Sequence, residues 1–150
     1  MWMDWERPMS ANEAFGRLLT ETPQFHHAIV MAEPDAYIES LAYYAPNPIF
    51  MPREGRFSKV ISTGSINRPV LTLRQLLDDA AAMRLPDQEV LVAIGFYRFE
   101  EDPSHRIGWW RNKEFEWTDA DLVRLHAVAE PVASYWSSTT DENYTVFRIK

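Results

Sequence analysis

Read by its apolar and polar positions, the chain alternates helical and strand-like segments. Ala14, Phe15, Leu18 and Leu19 recur at helical spacing behind Ser10-Ala-Asn-Glu13 and before Pro23. This predicts a helix over 11–21, with the Ser10 hydroxyl accepting the Glu13 N–H and the Glu13 carboxylate reaching back. His27-Ala-Ile-Val-Met-Ala-Glu33 is continuously apolar, short and flanked by prolines, as a strand buried on both faces would be. Tyr37, Ile38, Leu41 and Tyr44 give a second helical stripe between Pro34 and Pro46, followed by a short strand over 48–51.

The tract Pro52–Ser58 reads as loop, 59–62 as a brief strand, and 64–69 as turn. Thr72-Leu-Arg-Gln75 repeats the capping pattern and opens a helix to about Leu85; Glu89–Gly95 is the next apolar strand. Charges and Pro103 break every period between Phe96 and Trp117, which leaves most of that stretch as irregular loop with at most one short strand or helical turn. A short helix follows over 118–126, and Val132–Trp136 with Asn143–Ile149 alternate as a terminal antiparallel hairpin. The order of elements predicts an α/β, three-layer Rossmann-like domain whose sheet is mostly parallel, with the C-terminal hairpin at its edge. Residues 10–150 form this single domain and 1–9 a junction or flexible N-terminal segment.

Composition narrows the chemistry. In 150 residues, 15 basic side chains face 22 acidic ones, a net charge of −7 with no basic run, so a nucleic-acid partner is not expected. The absence of cysteine removes thiolate nucleophiles, zinc–thiolate sites and iron–sulfur clusters. Gly-x-Gly-x-x-Gly, the phosphate-binding Gly-x-x-x-x-Gly-Lys-Ser/Thr loop and the Gly-x-Ser-x-Gly elbow are all missing, so no cofactor is expected. The four histidines lack metal-ligand spacing.

Ligands of parallel α/β sheets bind outside the carboxyl ends of the strands. That rule selects Glu33, Asp35, Arg53, Glu54, Arg56, Phe96 and Tyr97. In a functional reading, Arg53 or Arg56 grips a phosphate or carboxylate, while Glu33 and Asp35 hold a divalent cation or act as an acid–base pair. In a structural reading, Asp35 caps a helix and the charges of Arg53-Glu-Gly-Arg56 pair with one another. The dense run Trp109-Trp-Arg-Asn-Lys-Glu-Phe115-Glu-Trp117 is either a sugar or membrane-interface platform, or an aromatic cover over the sheet edge.

The run Ala28-Ile-Val-Met-Ala-Glu-Pro-Asp-Ala-Tyr-Ile-Glu-Ser-Leu-Ala-Tyr-Tyr-Ala-Pro-Asn-Pro-Ile-Phe-Met-Pro-Arg-Glu-Gly-Arg-Phe57, closed by Asp141-Glu-Asn-Tyr-Thr-Val-Phe-Arg-Ile149, carries a family likeness. It resembles the soluble C-terminal domain of polytopic bacterial membrane proteins similar to lipid-phosphosugar-dependent glycosyltransferases of the mannosyltransferase type. The resemblance implies a domain outside the cytoplasm, on the periplasmic face, attached to a membrane-embedded portion that carries catalysis. Its implied partners are that membrane portion and a glycan or lipid-linked sugar. The membrane helices and the acidic first extracytoplasmic loop on which such enzymes depend have no counterpart here, so no catalytic residue is carried over. The competing expectation is a stand-alone small α/β enzyme acting on an anionic metabolite at the strand-end cleft.

Overall fold

The computed structural model describes residues 9–60, 68–95, 99, 104–109, 113–136 and 143–150. The first helix, α1 (Ala11–Glu21), starts as its sequence dictates: the Ser10 hydroxyl accepts the Glu13 N–H at 3.1 Å. The apolar run 27–33 becomes strand β1 (Ile29–Glu33), and the next two expected strands become β2 (Ile49–Met51) and β5 (Val90–Gly95). β1 pairs in parallel with β2 on one side and β5 on the other, as their continuous hydrophobicity predicts.

The expectation of a mostly parallel sheet is corrected. The fold is α/β, but its six-stranded sheet is mixed: beside β2–β1–β5 it adds β3 (Arg56–Phe57) at one side and β8 (Ala129–Tyr135) and β9 (Tyr144–Ile149) at the other, in the order β3–β2–β1–β5–β9–β8. Strand β3 (Arg56–Phe57) folds back antiparallel on β2 within the tract expected to be loop, because Gly55 at φ 67° closes a tight turn. At the far side, β9 (Tyr144–Ile149) runs antiparallel along β5 from Leu91 to Gly95, and β8 (Ala129–Tyr135) forms the edge.

A second sheet replaces part of the expected irregular region. Strands β4 (Val70–Thr72), β6 (Arg106–Trp109) and β7 (Lys113–Glu116) associate in the order β4–β7–β6. The brief strand expected over 59–62 does not start at Lys59 and Val60, which form a bend; residues 61 and 62 lie outside the described residues.

Helices α2 (Leu73–Met83) and α3 (Asp119–Val128) each begin with a complete capping box, Thr72 with Gln75 and Thr118 with Asp121. The stripe expected as an ordinary helix before Pro46 is instead a 3-10 helix over Asp35–Tyr43, and Asp35 does not cap it.

Alternation along the strands sends side chains to two cores. Val30, Ala32, Leu91, Ala93, Tyr144 and Val146 pack with α1 and the 3-10 helix. Met31, Val90, Val92 and Ile94 pack with Leu73, Leu76, Leu77 and Ala80 of α2 and with Phe115 and Trp117. Gly16 permits a close approach in the first core, since a Cβ there would lie 2.4 Å from the Tyr44 Cβ. Asn12 is buried between these elements. Its amide donates to the Tyr37 carbonyl at 2.7 Å and the Ser40 hydroxyl at 2.6 Å, while its Oδ1 accepts the Tyr144 hydroxyl at 2.7 Å.

Candidate functional site

The end of β1 presents Glu33 and, two residues on, Asp35. The same parity that turns Met31 toward the second core turns Glu33 toward the second sheet. The turn after β2 delivers Arg53 to the same place. Both side chains of this pair are wholly buried. Arg53 Nε donates to Glu33 Oε2 at 3.0 Å and Nη2 to Oε1 at 2.6 Å, a bidentate fork.

The rest of the guanidinium is also engaged. Nη1 donates to the carbonyls of Arg68 at 3.1 Å and Pro69 at 2.7 Å, and Nη2 donates to that of Glu114 at 2.7 Å. These five bonds match the five N–H groups of an arginine. The side chain therefore ties the β1 terminus to the segment entering β4 and to β7, across the junction of the two sheets. A bound phosphate would have to displace partners already in place.

Asp35 belongs to a second buried pair, with Lys113 Nζ at 3.2 Å from Oδ1 and 3.5 Å from Oδ2. Its carboxylate thus holds β7 against the start of the 3-10 helix rather than capping that helix. Glu54 is buried as well, and its Oε1 accepts from Arg56 Nη2 at 3.4 Å, while Arg56 itself is half exposed. Of the residues selected from the strand-end rule, Glu33 and Arg53 meet directly, Asp35 is joined to a lysine that the rule did not select, and Glu54 and Arg56 form the local pair. Phe96 and Tyr97 lie outside the described residues.

Sequence reasoning missed Lys113 and Asn12. The alternation Lys113-Glu-Phe115-Glu carries the signal for the first, because period two puts Lys113 on the buried face of Phe115. For Asn12, a polar residue one turn from Phe15 on the inner face of α1, the helical stripe itself is the signal.

In the aromatic run, Phe115 and Trp117 are core residues, with the Trp117 ring 5.0 Å from that of Phe99 and 6.0 Å from that of Phe115. Trp110 lies outside the described residues. Among the described residues, no three histidine or acidic side chains gather to hold a metal ion, and no helix is long and apolar enough to cross a membrane.

Titration is perturbed away from this site. The Arg148 guanidinium bonded to Glu89 at 2.9 Å and 3.2 Å holds that carboxyl below its ordinary value, assisted by Gln24 and Arg84. Burial pushes the Tyr135 phenol up. No known protein family, curated protein or solved structure matches the chain.

Proposed function

We propose that this chain is a non-catalytic accessory domain of a multi-spanning, glycosyltransferase-like membrane protein. In this reading it stands on the extracytoplasmic, periplasmic side and binds a glycan, an acceptor or the membrane half of its parent. The observation that supports it is the commitment of Arg53. All five of its N–H groups have protein partners, so the strand-end group best suited to recognise an anion serves to join two sheets. The buried Asp35–Lys113 pair supports the same view of its neighbour. The finer fold reading, a three-layer Rossmann-like domain, rests on the parallel trio β2–β1–β5 with elements packed against both faces.

The test joins genomics to topology. The reading frame upstream of Met1 should encode hydrophobic segments of about 20 residues, the length that spans a bilayer. Alkaline phosphatase fused after Lys150 of the full-length protein should be active, as it is only outside the cytoplasm. A stop codon directly upstream of Met1, or an inactive fusion on a stably expressed protein, contradicts the proposal in favour of a stand-alone enzyme.

A further inference from the structure

We infer that the cleft between the 3-10 helix Asp35–Tyr43 and the residues following β3 binds a neutral carbohydrate, with Tyr43 as its stacking platform. The inference deepens the accessory-domain reading, on which it rests for the source of the sugar.

The cleft follows from the helix type. With three residues per turn, side chains three apart eclipse one another. Ala36, Glu39 and Ala42 therefore form one row, and Ser40 and Tyr43 form the row beside it. The two alanines leave space around the Glu39 carboxylate, and Lys59 and Val60 complete the lining among the described residues. The volume is about 520 Å³, within the roughly 300–1,000 Å³ of ordinary small-ligand sites.

Tyr43 is 89% exposed, which leaves its ring open for the C–H face of a pyranose. Beside it, Glu39 offers acceptors and Lys59 offers donors, and no ion pair engages either of them among the described residues. The lining carries one acidic and one basic side chain, so its net charge is zero. Groups of this kind suit a ligand with several uncharged hydroxyls.

Ser40 gives the cleft a fixed wall. Its oxygen accepts from Asn12, which is held in turn by Tyr144 and by the Tyr37 carbonyl, so the hydroxyl hydrogen remains to donate. A protein partner fits less well, because the centres of protein interfaces are depleted in lysine and glutamate and here both stand in the cleft. A second cleft of about 390 Å³, between Pro46, Pro48 and Phe57, shares Lys59 and gives room for a further ring.

The test is a titration of the ¹⁵N-labelled chain with methyl glycosides of glucose, galactose and mannose and with their neutral disaccharides. Saturable amide shifts confined to residues 36–43 and 57–60 are expected. Tyr43→Ala should weaken binding about tenfold or more while keeping the dispersed spectrum of a folded protein, and Tyr43→Phe should retain it. Glu39→Gln and Lys59→Met should each weaken it.

No shift at these amides with about 50 mM sugar, far above a millimolar Kd, overturns the inference. So do shifts that survive Tyr43→Ala, or saturation by apolar peptides alone. The two proposals fail separately. Sugar binding by a chain whose reading frame is closed upstream ends the accessory-domain reading and leaves the cleft; upstream membrane helices without sugar binding do the reverse.

Discussion

Arg53 and Glu33 face each other through two hydrogen bonds of 3.0 and 2.6 Å, with neither side chain exposed to solvent. They come from the ends of two adjacent parallel strands, where α/β sheets commonly bind ligands. Here that position holds a closed set of protein contacts. Taking two charges out of water costs several kcal/mol each, and the cost is offset only when geometry and additional hydrogen bonds are good. The three carbonyls that complete Arg53 meet this condition and connect the two sheets.

The neighbouring pair makes the same argument for β7. Lys113→Met should destabilise the protein by about 3–5 kcal/mol, because it strands a buried Asp35 carboxylate. Adding Asp35→Asn should recover part of the loss. Urea unfolding of both variants checks this. A single variant within about 0.5 kcal/mol of the parent would show that Asp35 has another partner or is solvated.

Gly16→Ala sets helix propensity against packing. Alanine is better than glycine in a helix interior by about 1 kcal/mol. Its Cβ would nevertheless fall 2.4 Å from the Tyr44 Cβ and 3.2 Å from the Tyr44 carbonyl carbon, which is backbone and cannot swing away. Overpacking of this kind costs about 1–3 kcal/mol, so a net loss of stability is expected in thermal melts. A higher melting temperature would mean that α1 and the 3-10 helix can separate without cost.

Much of this architecture is legible in the sequence. The parallel trio follows from three short, continuously apolar runs, and the starts of α1, α2 and α3 follow from Ser10, Thr72 and Thr118. The second sheet is hidden because its strands are only three or four residues long and because β7 turns a lysine inward, which breaks the apolar alternation. The strand-end rule puts the loops carrying Glu33, Asp35 and Arg53 on one edge of the sheet, where Glu33 and Arg53 do meet, but it gives no partner for Asp35. Local spacing suggests that the charges of Arg53-Glu-Gly-Arg56 pair with one another, as Glu54 and Arg56 do, and that Asp35 caps its own helix; Arg53 and Asp35 do neither. Their actual partners lie 20 and 78 residues away, a relation that only the tertiary fold creates.

Acid should weaken the β5–β9–β8 side of the sheet through Glu89. Its carboxyl is held below the ordinary glutamate value of about 4.3, chiefly by the hydrogen bond from Arg148. A depressed folded value adds stability that is fully present above the unfolded value and is lost as pH falls through the folded one. Arg148→Met should therefore cost stability at pH 7, and the gap from the parent should narrow below about pH 4. Urea midpoints for both proteins between pH 7 and pH 3 give the comparison. A gap that stays constant across this range would contradict the assignment.

The most direct test of the structural role of the strand-end cluster is the unfolding free energy of Arg53→Ala, with Arg56→Ala as its control. Loss of Arg53 should cost about 3–5 kcal/mol, since it leaves Glu33 charged and buried, and Arg53→Met with Glu33→Leu should regain much of that loss. Loss of Arg56, whose half-exposed guanidinium meets Glu54 in a single 3.4 Å contact, should cost clearly less than loss of Arg53 with its five bonds. An Arg53→Ala protein as stable as its parent would contradict the account and return Arg53 to the role of an anion-binding group.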